Sequence, residues 1–500
     1  MKKYYPFFLF LSLFLSAITV FAQVAKPHEL TVEERIKNQF NRISGKVILD
    51  YVRELSSDKF EGRLTGTKGY NDAAEWSVSL FKKWGLKPAG GGNSYYQKFP
   101  NPYTLVLDSG ELSLNIPSGK DTIKKYYKYE LDYYPGATSD SGTLTAEVVF
   151  VGYGITAPEL NYDDYAGIDV KGKIVLFNPE VPFSPDKDPG LFKMWRPYSF
   201  HNYKMENAAK HGAAGVLYNY HIVNPNCAFI KGQIHVDIGK TVTDDIFSGT
   251  GKTIQELLRK IIDEKRPASF NTGKTVTMRC RTEHNPNGVG LNVIAKIEGI
   301  DPALKDEPVI IGAHLDHIGM SDKLMPGAND NASGVSVLYA AAEALSKVNI
   351  PFRRSIIFIL FGAEEQGVKG SEFYIQNPSV PVEKIKAFLN LESVGRGEII
   401  SAGSGKNYPE LFNIMESVNN KLVHRKLTAS FNSNIARPRQ DAAHFLWAKI
   451  PSISFGAYGS APVSVPTYHT TNDKPEYLTP EIMEDLAKIV FLSAIELAEK

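Results

Sequence analysis

A chain of 500 residues, 43% hydrophobic and 22% charged, has the composition of a globular protein of about two to four domains. Lys and Arg total 56 against 55 Asp and Glu, a formal charge of +1, so no broad basic field points to nucleic acid as a partner. Two cysteines cannot hold such a length together, and an apolar core must do it.

The chain opens on Met1-Lys2-Lys3, followed by an uncharged stretch to Ala25 that contains Phe7-Phe8-Leu9-Phe10-Leu11. It closes on the small residue Ala22, before Gln23, which predicts an export signal over 1–22 and a periplasmic or secreted protein. A retained anchor is the alternative, weakened by Pro6, Ser12, Ser16 and Thr19 within the run. No stable membrane anchor is expected after cleavage.

Residues 29–60 read as helix, with apolar positions at helical spacing from Ile43 to Leu55. A second helix is expected over 73–84, ended by Gly85. Residues 100–150 turn to β character. The segment 127–285 reads as self-contained. A strand at 147–151 enters Gly152-Tyr153-Gly154, a loop carries Asp163 and Asp164, and buried strands are expected at 174–177 and 215–218 around a helix at 204–211. Over roughly 147–220 this segment resembles a protease-associated domain, a β-rich insert with no catalysis of its own. Asp163 and Asp164 read as a solvated loop. Cys227 and Cys280 both fall in this segment; export permits a disulfide between them, and two buried free thiols are the alternative.

From about 290 onward apolar runs at 309–313, 356–361, 387–391 and 453–455 alternate with helical stretches at 333–345 and 481–498. That alternation predicts a mainly parallel sheet covered on both faces. Chemistry collects just past the strand ends, where such sheets place their sites. His314-Leu315-Asp316 pairs an imidazole with a carboxylate two residues on. Gly327-Ala328-Asn329-Asp330-Asn331 is a tight loop feeding a helix, where an N-cap is the plain reading of Asp330. Glu364 and Glu365 are adjacent carboxylates at the end of a buried strand, and they repel unless a cation or proton lies between them. Glu392 ends a third strand, and Tyr468-His469 lies in a loop near the C-terminus. Two imidazoles with three or more carboxylates form a donor set that suits zinc.

The order His-x-Asp, Gly-Ala-x-Asp-Asn-Ala-Ser-Gly, Gly-Ala-Glu-Glu-x-Gly, Asn-Leu-acid and Tyr-His resembles the co-catalytic zinc aminopeptidases of peptidase family 28, over roughly 290–475 with 40–100 as an N-terminal part. The resemblance implies an α/β three-layer sandwich with a mixed, mainly parallel central sheet. It implies peptidase segments at 23–126 and 286–500 around a protease-associated insert at 127–285. It further implies two zinc ions and an exopeptidase acting on peptides. His314 and Glu392 would bind one ion, Glu365 and His469 the other, and Asp330 both. Glu364 would be the general base, Asp316 would orient His314, and Tyr468 is a candidate oxyanion donor. The family usually has Asp where this chain has Glu392. A metallocarboxypeptidase or dipeptidase is therefore the alternative, drawing on Arg396, Arg437 or Arg439 for a substrate carboxylate. A non-catalytic binding protein is the remaining one. His444 reads as structural and Asp441 as a partner of a ligand. His201, His211, His221, His235 and His317 read as surface or core histidines.

Overall fold

A computed structural model describes residues 30–118, 120–184, 187–432, 439–460 and 466–500. The expected signal over 1–22 and Arg437 lie outside the described residues. Among those described, no helix is long and apolar enough to cross a membrane.

Nine strands form the central sheet. Its order is Lys87–Pro88, Val289–Ile297, Ile356–Phe361, Val309–His314, Ala387–Leu391, Ser452–Tyr458, Ile399–Gly403 and Lys426–Ala429, and Tyr96–Pro100 also pairs with Val289–Ile297. The four strands from Ile356–Phe361 to Ser452–Tyr458 run parallel, and antiparallel strands flank them. The three central strands Ile356–Phe361, Val309–His314 and Ala387–Leu391 are buried at every position and almost wholly apolar because both faces are covered. Val309, Ile311, Phe358 and Leu389 face a large cluster with helices Gly45–Leu55, Lys68–Lys83, Gly334–Lys347 and Pro480–Glu499. Ile310, Ile359, Phe361 and Phe388 face a smaller one with Tyr374 and Phe445. The result is the expected three-layer arrangement.

The helix expected over 29–60 is two helices, Val32–Arg42 and Gly45–Leu55, broken at Ile43 and Ser44. Ile43 is extended (ψ 122°), as is Ser44, and a Cβ on Gly45 would sit 2.6 Å from the Pro480 carbonyl oxygen. The chain therefore turns to let the second helix pack closely on the C-terminal one.

An eight-stranded sheet lies apart from the first, in the order Asp121–Tyr126, Glu111–Ser118, Phe270–Cys280, Gly142–Phe150, Ile174–Phe177, Gly215–Tyr218, Ile234–Ile238 and Tyr133–Pro135. Its members run from residue 111 to 280, so the hairpin at 111–126 belongs to it as well. Alternate residues enter two cores, Val148, Phe150 and Leu176 in one, Val149, Val151 and Val175 in the other. Cys280 packs in the first and Cys227 in the second, and both are free thiols. Opposite faces of one sheet keep the two sulfurs apart.

Asp164 overturns its reading as part of a solvated loop. It is fully buried, and its carboxylate accepts from the Tyr153 and Ile155 amides at 3.1 and 3.0 Å and from the Tyr162 hydroxyl at 2.7 Å. One side chain thereby shapes the glycine turn that leads out of the Gly142–Phe150 strand.

Candidate metal centre

Each candidate ligand is delivered by the end of a central strand or the loop beyond it. His314 is the last residue of the Val309–His314 strand and is fully buried. Its Nδ1 lies 3.1 Å from the Asp316 carbonyl oxygen, which fixes Nδ1 as donor and leaves Nε2 for other partners. That Nε2 lies 3.3 Å from Asp330 Oδ1 and 3.2 Å from Glu392 Oε1. On the other side His469 Nε2 lies 3.3 Å from Asp330 Oδ2 and 2.9 Å from Glu365 Oε2. Asp330 thus presents one oxygen to each of two imidazole–carboxylate groups.

The loops hold one another in register. The Asp473 carboxylate accepts from the Asn329 and Asp330 amides, each at 2.9 Å. Asn331 donates to the Leu391 carbonyl at 2.8 Å and accepts from the Ser393 amide at 3.0 Å, tying the Asp330 loop to the Glu392 strand. Asp316 is fully buried, and its two oxygens accept from the Glu364 and Glu365 amides, each at 3.2 Å. Its carboxylate is 3.7 Å from the His314 ring, so its main grip is on the paired glutamates.

Beneath these loops lies Arg63, fully buried, with a left-handed φ of 56°. It donates to the carbonyls of Leu315 (2.9 Å), Pro326 (3.0 Å), Gly327 (2.9 Å) and Leu55. The sequence reading missed it, although Glu61-Gly62-Arg63 stands out as a charged turn before the second helix.

The adjacent glutamates are driven apart. Burial, with Glu392 and Glu365 nearby, raises Glu364 well above the usual carboxylate range, although His314 pulls the other way. Burial acts on Glu365 too, but His469 and the hydrogen bond from His317 outweigh it and hold Glu365 at about 2. Burial disfavours the charged form of His469, yet Glu365 and Asp330 outweigh it and lift it to about 10. Burial pushes Asp441, itself fully buried near the centre, up to about 8. It also lowers His444 to about 4, so that imidazole is neutral at its place in the cleft wall.

A cleft of about 570 Å³ opens onto Glu364, Glu365 and His469. Tyr468, 54% exposed, lines it, with its ring 3.8 Å from that of His469. The opposite wall comes from the second sheet's loops, including His201, Tyr220 and Asn224. Val223 from that wall accepts from His469 Nδ1 at 3.0 Å and returns its own amide to the His469 carbonyl at 3.3 Å.

All eight candidate site residues therefore gather at one place, with Glu364, Glu365, Tyr468 and His469 on the cleft wall and the others behind them. His317, read as an ordinary core or surface histidine, belongs with them: its Nδ1 is 2.7 Å from Glu365 Oε1. A lone His three residues past His314 carries no periodic signal, and only the fold brings it to Glu365.

The model of peptidase family M28 matches residues 292–494. An aminopeptidase of Pseudomonas aeruginosa is 27% identical over 380 residues, covering 72% of this chain and 59% of that one. An aminopeptidase of Bacillus subtilis (strain 168) is 31% identical over 202 residues, covering 38% of this chain and 41% of that one. The match thus spans 59% of the length of the Pseudomonas relative. Among solved structures, an aminopeptidase from Aneurinibacillus sp. strain AM-1 superposes with a TM-score of 0.63 at 23% identity, over 93% of this chain and 96% of that one. A zinc aminopeptidase from Bacillus subtilis gives 0.59 at 20% identity, over 92% and 96%. The fold is shared with these structures.

Proposed function

We propose that this protein is an exported zinc aminopeptidase of peptidase family M28, removing N-terminal residues from peptides; the match of that family's model to residues 292–494 supports the reading. The observation that carries the reading is Asp330 between two imidazole–carboxylate groups. Two ligands on one tetrahedral zinc, with bonds of about 2.0–2.1 Å, stand about 3.3 Å apart. The four ligand–ligand separations, 3.2 to 3.3 Å on the His314 side and 2.9 to 3.3 Å on the His469 side, fit that edge. Among the described residues Glu392 Oε2 is buried without a hydrogen-bond partner, which leaves it open to an ion. Glu392, one methylene longer than the family's usual Asp, still reaches His314.

His314, Asp330 and Glu392 would hold one zinc, and Asp330, Glu365 and His469 the second. Bound zinc would supply Lewis acidity, polarising the scissile carbonyl and making a water easier to deprotonate. Glu364, beside the ligands and facing the cleft, takes the water's proton and passes it to the leaving amine. Tyr468 reaches the cleft as a hydroxyl donor to the developing oxyanion. Asp316 holds the Glu364 and Glu365 backbone so that one carboxylate faces the metal and the other stays a base. Export rests on the signal read over 1–22. The segment 127–285 is read as a protease-associated insert that walls the cleft.

Glu364→Gln is the test. It keeps zinc content and lowers turnover by orders of magnitude; a variant with normal metal and normal turnover sinks the assignment of the base. Arg439 also lines the cleft, 3.3 Å from Glu180 Oε1, and favours a dipeptidase as the second reading. N-blocked peptides stop an aminopeptidase, whereas amidated C-termini stop a dipeptidase that needs the carboxylate.

A further inference from the structure

We infer that His317 is a positioning residue for the second metal site: it holds one oxygen of Glu365 so that the other is offered to the ion. The inference rests on the two-zinc reading above and goes beyond it, because the ligand set is complete without His317. The donor atoms of His317, Asp330 and Glu365 lie within 4.8 Å of one another. His317 is fully buried. Its Nδ1 meets Glu365 Oε1 at 2.7 Å, a charge-assisted hydrogen-bond distance. The second oxygen, Oε2, points to His469 Nε2 at 2.9 Å. The two oxygens thus have different company: one meets the His317 ring, the other shares a space with His469 Nε2 and Asp330 Oδ2. A pair of ligands on one zinc would be spaced by about 3.3 Å. The 2.7 Å contact is too short for that, so His317 serves as a donor to a ligand and not as a ligand.

Three further contacts fix the ring. The His317 amide donates to the Arg63 carbonyl at 3.2 Å. The His469 ring stands nearly perpendicular to it, with centroids 5.6 Å apart at 82°. Gly327, at φ 57°, lies against it so closely that a Cβ would sit 2.4 Å from His317 Cγ. The loop that carries Asp330 therefore leaves room for this imidazole. Free rotation of the Glu365 carboxylate would let either oxygen, or neither, face the ion. A donor on one oxygen removes that freedom, and partners of this kind typically govern metal affinity by 10–100-fold.

The experiment compares His317→Ala, His317→Asn and His317→Gln with the wild type, each stripped of metal and titrated with Co²⁺ and then with Zn²⁺ against a chelator. Visible absorption and bound-metal analysis are read, with unfolding of the metal-free proteins as control. In the wild type two ions bind. In His317→Ala one of the two weakens by about 10–100-fold and the other is unchanged. Asn places its amide nitrogen where Nδ1 was and restores most of the loss; Gln, whose nitrogen falls where Nε2 was, restores little. Two ions bound by His317→Ala as tightly as by the wild type overturn the inference. So does a His317→Asn protein, folded as well as the wild type, with an altered Co²⁺ spectrum at the second site, because that would make the imidazole itself a ligand. A wild type that takes up no metal instead defeats the two-zinc reading, and this inference with it.

Discussion

Among the residues of the centre, Asp316 makes the sharpest prediction. The resemblance implies that it orients His314, but its oxygens receive the amides of Glu364 and Glu365. Asp316→Asn leaves one acceptor where two are needed. Turnover should fall by about 10–100-fold while both ions stay bound, as measured by steady-state kinetics beside metal analysis. A second prediction follows from His314 and His469. Burial disfavours their charge, yet surrounding carboxylates lift both, His469 to about 10, so in the metal-free protein both rings carry protons at neutral pH. Zinc needs them neutral. Loading should therefore release protons, and affinity should strengthen as pH rises from 6 toward 9. Calorimetric titration in buffers of different ionisation enthalpy reads the protons directly; no buffer dependence contradicts the sign. Sequence showed the candidate ligands because carboxylates and imidazoles at the ends of apolar strands have no packing reason to be there. It hid His317, whose partner is 48 residues away and whose surroundings in the chain are unremarkable.

At the scale of elements, the loops are bound to one another more than to solvent. The turn around Arg63 shows how. Its guanidinium closes on carbonyls from the end of the Gly45–Leu55 helix, from the stretch after His314 and from the stretch before Asp330. Arg63→Met removes the donors and leaves those carbonyls buried, at about 1–3 kcal/mol each. We expect a loss of at least about 3 kcal/mol in denaturant unfolding of the metal-free protein. Lys, with one ammonium in place of a planar fork, should recover only part of it. The layered sheet was legible because strands buried on both faces are almost continuously apolar. The break at Ile43 and Ser44 was not, since helical spacing continues across it and only the approach of Gly45 to Pro480 reveals the need for a turn. Asp164 was misread for a similar reason: acids in loops are usually wet, and only the fold shows the three donors that converge on it.

Across the whole molecule, the two sheets share the cleft and do not merely adjoin. Thr471 donates to Glu130 at 2.6 Å, Tyr129 donates to the Ser321 carbonyl, and Lys323 pairs with Glu130. The exchange between Val223 and His469, one bond from the ring and one between backbones, adds a tie at a proposed metal ligand. If His469 holds zinc as proposed, removing the metal should free it to move, and the Val223 amide, held by the His469 carbonyl, should feel it. Hydrogen exchange of peptides covering 219–226 is expected to quicken on chelation, while the Ile174–Phe177 strand stays protected. Equal protection with and without metal would mean that the second sheet does not sense the centre.

That Val223–His469 pair spans 246 residues of chain. Contacts so distant in sequence form after local ones, because the entropy of closing a long loop is met before the contact gives anything back. His469 is also the last of the proposed ligands to leave the ribosome, and its Val223 partner belongs to the segment of the other sheet. The catalytic centre is thus assembled late. During refolding, helical signal should return well before tight zinc uptake, and the interval between them is when a nearly finished chain has no activity to lose.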